Sequence, residues 1–121
     1  MEEIITLLKQ SESVLATSHA NPDGDAIGAL LAMGLALQRL GKRVTLYNES
    51  RIPAVYRFLP AVDTVVDELP AGRAYDTAVV LDCGDIQRIG ERYSLVAGLR
   101  RIVNIDHHLT NTGFGHARLI D

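Results

Sequence analysis

Three short stretches hold the side chains of this sequence best suited to chemistry: His19-Ala20-Asn21-Pro22-Asp23-Gly24-Asp25, Asp82-Cys83-Gly84-Asp85 and Asp106-His107-His108. Each follows an apolar run with the composition of a buried β-strand. Parallel strands in one sheet would bring these imidazoles and carboxylates to a single edge, which is the donor set of a metal site. Asp23, Asp25, Asp82 and Asp106 crowded in one crevice would repel one another and raise each other's pKa values unless cations or protons compensated. Two divalent ions would balance the four carboxylates. Mixed imidazole and carboxylate donors suit manganese, iron, cobalt or zinc better than calcium, and manganese is the first expectation.

Local spacing divides the work further. Asp23 and Asp25 flank Gly24 at the mouth of a predicted helix, so their side chains can diverge toward different ions while both gain from the helix N-terminus. His107 and His108 would point oppositely in extended chain; a turn there aims one at metal and the other at substrate. Plainer readings exist for each stretch: a polar turn with an aspartate N-cap, an aspartate merely ending a strand, and a surface turn. Against the last, three of the chain's 4 histidines fall in these stretches. His116, the fourth, reads as an ordinary loop or strand residue. Cys83 has no cysteine partner and reads as a small buried residue rather than a ligand. Asp85 reads as a cap for the segment containing Arg88, Arg88 fits a carboxylate pair as well as a substrate contact, and Arg100-Arg101 read as a solvated connection.

The elements that must position these residues alternate between helical and strand patterns, without repeats or a flexible linker, which is the α/β signature. A helix is predicted over Glu2 to Gln10, with Ile4, Ile5, Leu7 and Leu8 apolar. Strands are predicted at Val14 to Ser18, Arg43 to Tyr47, Thr64 to Val66, Thr77 to Asp82 and Arg101 to Ile105. A helix from Asp25 to Leu40 is apolar almost all round and closed by Gly41, which suggests a sandwiched position. Gly28 and Gly34 each cost about 1 kcal/mol relative to alanine in a helix interior, so close packing on a sheet is expected at both. Short helices are predicted at Ala54 to Phe58 and Glu91 to Gly98, with Pro53 in a first turn and Pro60 just beyond an end. Continuous β-branched runs such as Thr77 to Leu81 fit strands covered on both faces. The expected architecture is a three-layer α/β/α domain with a mainly parallel, roughly five-stranded, Rossmann-like sheet.

Length and composition frame this reading. A chain of 121 residues with 47% hydrophobic content makes one compact domain with one core. A lone cysteine cannot form an intrachain disulfide, and the first residues lack a signal-peptide pattern, so a cytoplasmic location is expected. The apolar segment Ala26 to Leu37 is shorter than the roughly 20 residues that span a bilayer, so no membrane partner is expected. A net charge of -3 disfavours a broad basic surface for duplex nucleic acid, although a short strand or nucleotide held through metal ions needs none. No Gly-x-Gly-x-x-Gly follows the first strand, which disfavours a dinucleotide-binding oxidoreductase.

Taken together, His19 to Gly28, Asp82 and Asp106-His107-His108 resemble the first three motifs of the DHH phosphoesterase family, in the same order and strand context. The Asn-Pro-Asp-Gly-Asp-Ala-Ile-Gly form, Phe58-Leu59-Pro60, and Cys83-Gly84-Asp85 leading to Arg88-Ile89-Gly90 are similar to its nanoRNase and pAp-phosphatase (NrnA-like) branch. The chain looks less like the RecJ exonucleases, with their different first motif, or the family II pyrophosphatases, which usually carry threonine where Gly24 stands. Asp-His-His alone would be weak; its conjunction with the other motifs is specific.

The resemblance implies that His19 and Asp23 hold one metal, Asp25 and His107 the other, with Asp82 bridging. His108 would contact the scissile phosphate and Asp106 would orient a neighbouring histidine. Two ions, Mn2+ with Mg2+ or Co2+ as substitutes, could deprotonate a shared water for in-line attack on phosphorus. The implied substrates are short single-stranded RNA or 3′-phosphoadenosine 5′-phosphate. The implied domain is an N-terminal DHH domain over residues 1–121. The branch adds a further metal-binding aspartate and a C-terminal DHHA1 domain that this sequence lacks, and Asp121 follows Asp106 too closely to be that ligand. We therefore read the chain as the amino-terminal part of a longer enzyme, with a weakened second metal site and little activity of its own. A homodimer is compatible with this reading. The alternatives are a pyrophosphatase or polyphosphatase of the same superfamily, and a non-catalytic nucleotide- or metal-binding module.

Overall fold

The computed structural model describes residues 2–108 and 111–120. In chain order the elements are α1 (Glu2–Gln10), β1 (Ser13–Ser18), α2 (Gly24–Arg39), β2 (Arg43–Tyr47), β3 (Val65–Val66), β4 (Thr77–Leu81), α3 (Tyr93–Ala97), β5 (Arg101–Asp106) and β6 (Ala117–Ile120). Single 3-10 turns occupy Ala54–Tyr56, Val62–Thr64 and Ile86–Ile89. The strands form one six-stranded sheet in the order β3-β2-β1-β4-β5-β6, and every pairing is parallel. The chain begins in the middle at β1, runs outward through β2 and β3, then crosses back to β4 and outward the other way. The strand order therefore reverses between β1 and β4, where open parallel sheets form their ligand crevice.

Alternation along the strands builds a core on each face. Val14 and Ala16 of β1 join Val79 of β4 and Val103 of β5 under Ile4 and Leu8 of α1 and Leu30 and Leu37 of α2. On the other face Leu15, Ala78, Val80 and Ile102 pack with Ile89 and Val96 from the segment between β4 and β5. The three-layer parallel architecture expected from the sequence is present. Burial on both faces explains why β1 and β4 read as continuous apolar runs rather than alternating ones.

Several local expectations are corrected. The sheet has a sixth strand, Ala117–Ile120, whose pairing runs from Val103↔Ala117 to Asp106↔Ile120. It escaped the sequence reading because it is short, carries Arg118, and lies at the sheet edge where exposed positions break the apolar run. The first predicted short helix is only a 3-10 turn, and the second shrinks to α3. Arg101 opens β5, as the strand predicted over Arg101 to Ile105 has it, but it is not simply part of a solvated connection: its guanidinium sits 4.0 Å from Asp76. The helix α2 is capped as its sequence dictates: Asp23 accepts from the Ala26 amide at 3.0 Å, and beyond its end Gly41 takes φ 78°. It is not sandwiched, however. It covers one sheet face with Ala26, Ile27, Leu30, Gly34 and Leu37, while Leu35 remains 53% exposed.

The two glycines of α2 separate on this geometry. A Cβ on Gly34 would stand 2.7 Å from a methyl of buried Leu46, so helix and β2 approach closely there; a Cβ on Gly28 would meet nothing within 4 Å. The expected close packing holds for Gly34 and fails for Gly28, which faces outward. Gly28→Ala is therefore expected to stabilise the domain by about 0.5–1 kcal/mol through helix propensity. Gly34→Ala should destabilise it by about 1 kcal/mol or more, because overpacking outweighs the same gain. Urea unfolding of the two variants beside the parent chain gives both signs.

Candidate metal centre

Register brings the three stretches level. Ser18 pairs with Leu81, and Leu81 with Ile105, at the carboxyl ends of β1, β4 and β5. The residues that follow are His19, Asp82 and Asp106. Asp82 follows β4 with φ 52°, a left-handed backbone that costs most residues about 1–2 kcal/mol but that aspartate tolerates better. Its side chain lies between two imidazoles: His107 Nε2 is 2.6 Å from one carboxylate oxygen, and His19 Nε2 is 3.5 Å from the other.

The tautomer of His19 follows from its partner. Its Nδ1 lies 2.7 Å from the carbonyl oxygen of Ala20, which can only accept, so Nδ1 carries the proton. In the neutral ring Nε2 then holds a free lone pair, aimed at Asp82 and 3.9 Å from Asp23. Donor atoms of His19, Asp23 and Asp82 all lie within 4.8 Å of one another, and so do those of Asp82, Asp106, His107 and His108. Asp82 belongs to both groups. Asp25 stands apart: it shares a hollow of about 370 Å3 with Asp82, Asp106 and His107, but it belongs to neither donor group. Asp121 lies outside the described residues.

The chain turns after β5, so the two adjacent imidazoles lie on the same side of the sheet edge with ring centroids 4.7 Å apart. His108 Nδ1 is 2.5 Å from the buried carboxylate of Asp106. Asn111 donates to the other oxygen of Asp106 at 2.8 Å. Burial pushes the Asp106 carboxyl upward, but the hydrogen bonds from Asn111, His108 and the neighbouring amides outweigh it and hold the group below the usual carboxylate range. Asp23 is lowered chiefly by the hydrogen bond from the Ala26 amide. The hydrogen bond and charge of Asp82 raise the pKa of His107. Cys83 is buried beside the site, its thiol pushed by desolvation up to about 11, which fits an inert packing residue. Asp85 caps the 3-10 turn by accepting from the Gln87 amide at 3.0 Å.

Two supporting residues were missed in the sequence. Asn48, buried just beyond β2, donates to Ser18 Oγ and to the His19 carbonyl, both at 2.9 Å, and so holds the start of the β1–α2 loop. Asn111 fixes Asp106 and accepts from the Gly113 amide at 2.6 Å. Position beyond a strand was a usable signal for Asn48; nothing local marked Asn111. His116 lies at the far end of β5, where its Nδ1 accepts from the Ile102 amide at 2.9 Å.

An open parallel sheet with imidazoles and carboxylates at its reversal point defines an α/β domain with a candidate divalent-metal centre. Residues 13–120 match the DHH family, N-terminal domain, and the chain belongs to that family. The resemblance read from its three motifs is thus borne out. Over its whole length the chain is 37% identical to the bifunctional oligoribonuclease and PAP phosphatase NrnA of Thermus thermophilus, covering 36% of that protein. The crystal structure of an exopolyphosphatase-related protein from Bacteroides fragilis superposes with a TM-score of 0.87 at 25% identity, over 98% of this chain and 37% of that one. The chain thus spans a little over a third of the length of each relative. Among the described residues no helix is long and apolar enough to cross a membrane.

The shifted groups set the pH dependence of stability without metal. The folded pKa of His107 lies above its unfolded value, so its contribution is complete below about pH 6.5 and is lost as pH rises through the raised value. Asp23 and Asp106 are lowered, so their contributions are present above about pH 4 and lost as pH falls through the lowered values. Stability of the metal-free chain is therefore expected to peak in mildly acidic solution and to decline on both sides. Denaturant unfolding against pH should show this, with the alkaline decline flattened in Asp82→Asn.

Proposed function

We propose that this chain is the metal-binding N-terminal DHH domain, over residues 1–121, of a phosphoesterase that hydrolyses short oligoribonucleotides, 3′-phosphoadenosine 5′-phosphate, or both. The observation that carries the reading is the position of Asp82, a buried carboxylate with an imidazole nitrogen facing each of its oxygens. In this reading His19 and Asp23 hold one ion, Asp25 and His107 the other, and Asp82 bridges them; manganese suits the donors best, with magnesium or cobalt as substitutes. The pair would lower the pKa of a water to make a nucleophile and offset the charge gathering on phosphorus. No serine or cysteine nucleophile is needed, which agrees with the inert setting of Cys83.

The remaining work falls to the chain's own side chains. Asp106 takes the Nδ1 proton of His108 in a hydrogen bond, which leaves His108 Nε2 free to meet the scissile phosphate or the departing oxygen. Asn111 holds Asp106 and so fixes that ring. The distance of Asp25 from the tighter donor groups fits a second ion bound more weakly than the first. The relatives' greater length leaves room for a further ligand and for the DHHA1 domain that the family resemblance implies. The activity therefore belongs to the longer protein.

A second reading, hydrolysis of a phosphoanhydride, is favoured by the exopolyphosphatase-related neighbour. Gly24 weighs against its pyrophosphatase form. A Cβ there would make ordinary contact with the ring of Tyr56, at 3.4 Å.

Manganese titration of the chain is expected to show saturable binding that Asp82→Asn weakens by about tenfold or more, with the circular dichroism spectrum unchanged. Equal affinity in the variant would overturn the bridging role. For the longer protein, phosphate release should be faster from 3′-phosphoadenosine 5′-phosphate than from pyrophosphate and should stop on chelation. The opposite preference would favour the second reading.

A further inference from the structure

Asn104 lies within β5 with no exposed surface, on the side of the strand that Ile102 shares with Val80, Ile89 and Val96. Both of its amide protons are committed: Nδ2 donates to Asn111 Oδ1 at 3.3 Å and to the Phe114 carbonyl at 3.4 Å. The amide cannot be turned round. Asn111 must present its own nitrogen to the ionised Asp106 carboxylate, which only accepts, so its oxygen faces Asn104 and requires a donor there. The oxygen of Asn104 is left over, without a hydrogen-bond partner among the described residues. A buried acceptor in that state costs stability that an apolar side chain of similar shape would not. Core packing therefore gives no reason for an amide at this position, and its two donors do.

The first donor opens a line of hydrogen bonds that ends at His108. Asn111 Oδ1, held by Asn104 and by the Gly113 amide at 2.6 Å, leaves Asn111 Nδ2 aimed at one oxygen of Asp106, and the other oxygen takes the Nδ1 proton of His108. The second donor clasps the loop itself. Gly115, with φ 100°, lets that loop lie on β5, since a Cβ there would stand 3.2 Å from the Ile102 carbonyl oxygen and 3.4 Å from Asn104 Cβ. The Thr112 amide ties the same loop to the Gly84 carbonyl at 2.7 Å. Which nitrogen of a neutral imidazole carries the proton is set by the hydrogen bonds the ring makes. We propose that Asn104 is a positioning residue: from inside the core it orients Asn111, and through Asn111 and Asp106 it keeps the His108 proton on Nδ1, so that Nε2 is the nitrogen left for substrate. The part assigned to Nε2 rests on the phosphoesterase reading. The line of hydrogen bonds behind it reaches a residue that, among the described residues, bonds to none of the proposed metal ligands.

The test is nitrogen-15 NMR of the imidazole rings in the metal-free chain, at a pH well above the histidine range, because the spectrum tells a protonated ring nitrogen from a bare one. The samples are the parent, Asn104→Leu, Asn111→Ala and the double variant. In the parent the His108 proton is expected on Nδ1. Asn104→Leu should move the ratio of the two tautomers about fivefold toward Nε2–H, the worth of one net hydrogen bond, with a thermal midpoint equal to the parent's or higher. Asn104→Ala gives the same reading should leucine overfill the site. Asn111→Ala is expected to shift the ratio equally, and the double variant no further than either alone, since both act through one line of contacts. An unchanged His108 in the folded Asn104 variants, with or without a lower midpoint, makes Asn104 a packing residue and overturns the proposal; so do additive shifts in the double variant. Neither metal nor substrate enters this measurement. An unchanged His108 therefore leaves the phosphoesterase reading standing, whereas failure of the longer protein to hydrolyse any phosphoester removes that reading and leaves the tautomer result intact.

Discussion

The candidate centre depends on strand register. Ser18, Leu81 and Ile105 stand level across β1, β4 and β5, so the next residue of each chain segment stands at the same height on the sheet's carboxyl edge. Side chains alternate across a strand with a period of two, so a slip of one residue would turn an entire apolar set toward the wrong face. The two cores forbid it: Val14 and Ala16 must face α1 and α2 while Leu15 faces Ile89 and Val96. The apolar residues, which perform no chemistry, thereby fix where His19, Asp82 and Asp106 emerge.

That arrangement gathers like charges where the sheet offers them little water. The metal-free domain answers with hydrogen bonds rather than distance: His107 meets Asp82, and His108 and Asn111 hold Asp106. The same contacts give the nitrogen atoms their directions. The Ala20 carbonyl fixes the His19 proton on Nδ1, and the Asp106 carboxylate does the same for His108. Asp82 completes the arrangement from a left-handed backbone position at the strand end. Such a conformation at a strand terminus, in a residue without a glycine's freedom, is a known mark of functional sites.

Much of this was legible in the sequence, and the failures have physical causes. The β-branched runs announced strands buried on both faces, and polar residues at their carboxyl ends announced the edge at which they would meet. Gly41 marked the end of α2, and the aspartates around Gly24 its mouth, because capping is local chemistry. What sequence could not supply was long-range. Gly28 and Gly34 look alike in the chain, yet only one faces β2. β6 exists because β5 offers it a pairing edge, not because its own residues demand a strand. Asn111 acquires its place only after the chain folds back onto Asp106. Asp25 illustrates the reverse: its spacing from Asp23 placed it at the helix mouth, but spacing carries no information on the reach to His107.

The loop between β1 and α2 is fastened at several points. Asn48 grips the His19 carbonyl, Ser50 Oγ accepts from the Asn21 amide at 2.8 Å, and the Arg88 carbonyl accepts from Ala20 at 2.7 Å. Ordering a backbone residue costs about 1–2 kcal/mol of conformational entropy, and here that loss is taken during folding rather than at ion capture. A cation reaching His19 and Asp23 would meet ligands already in place. Its association would then be governed by shedding water from the ion, with little rearrangement of the polypeptide around it.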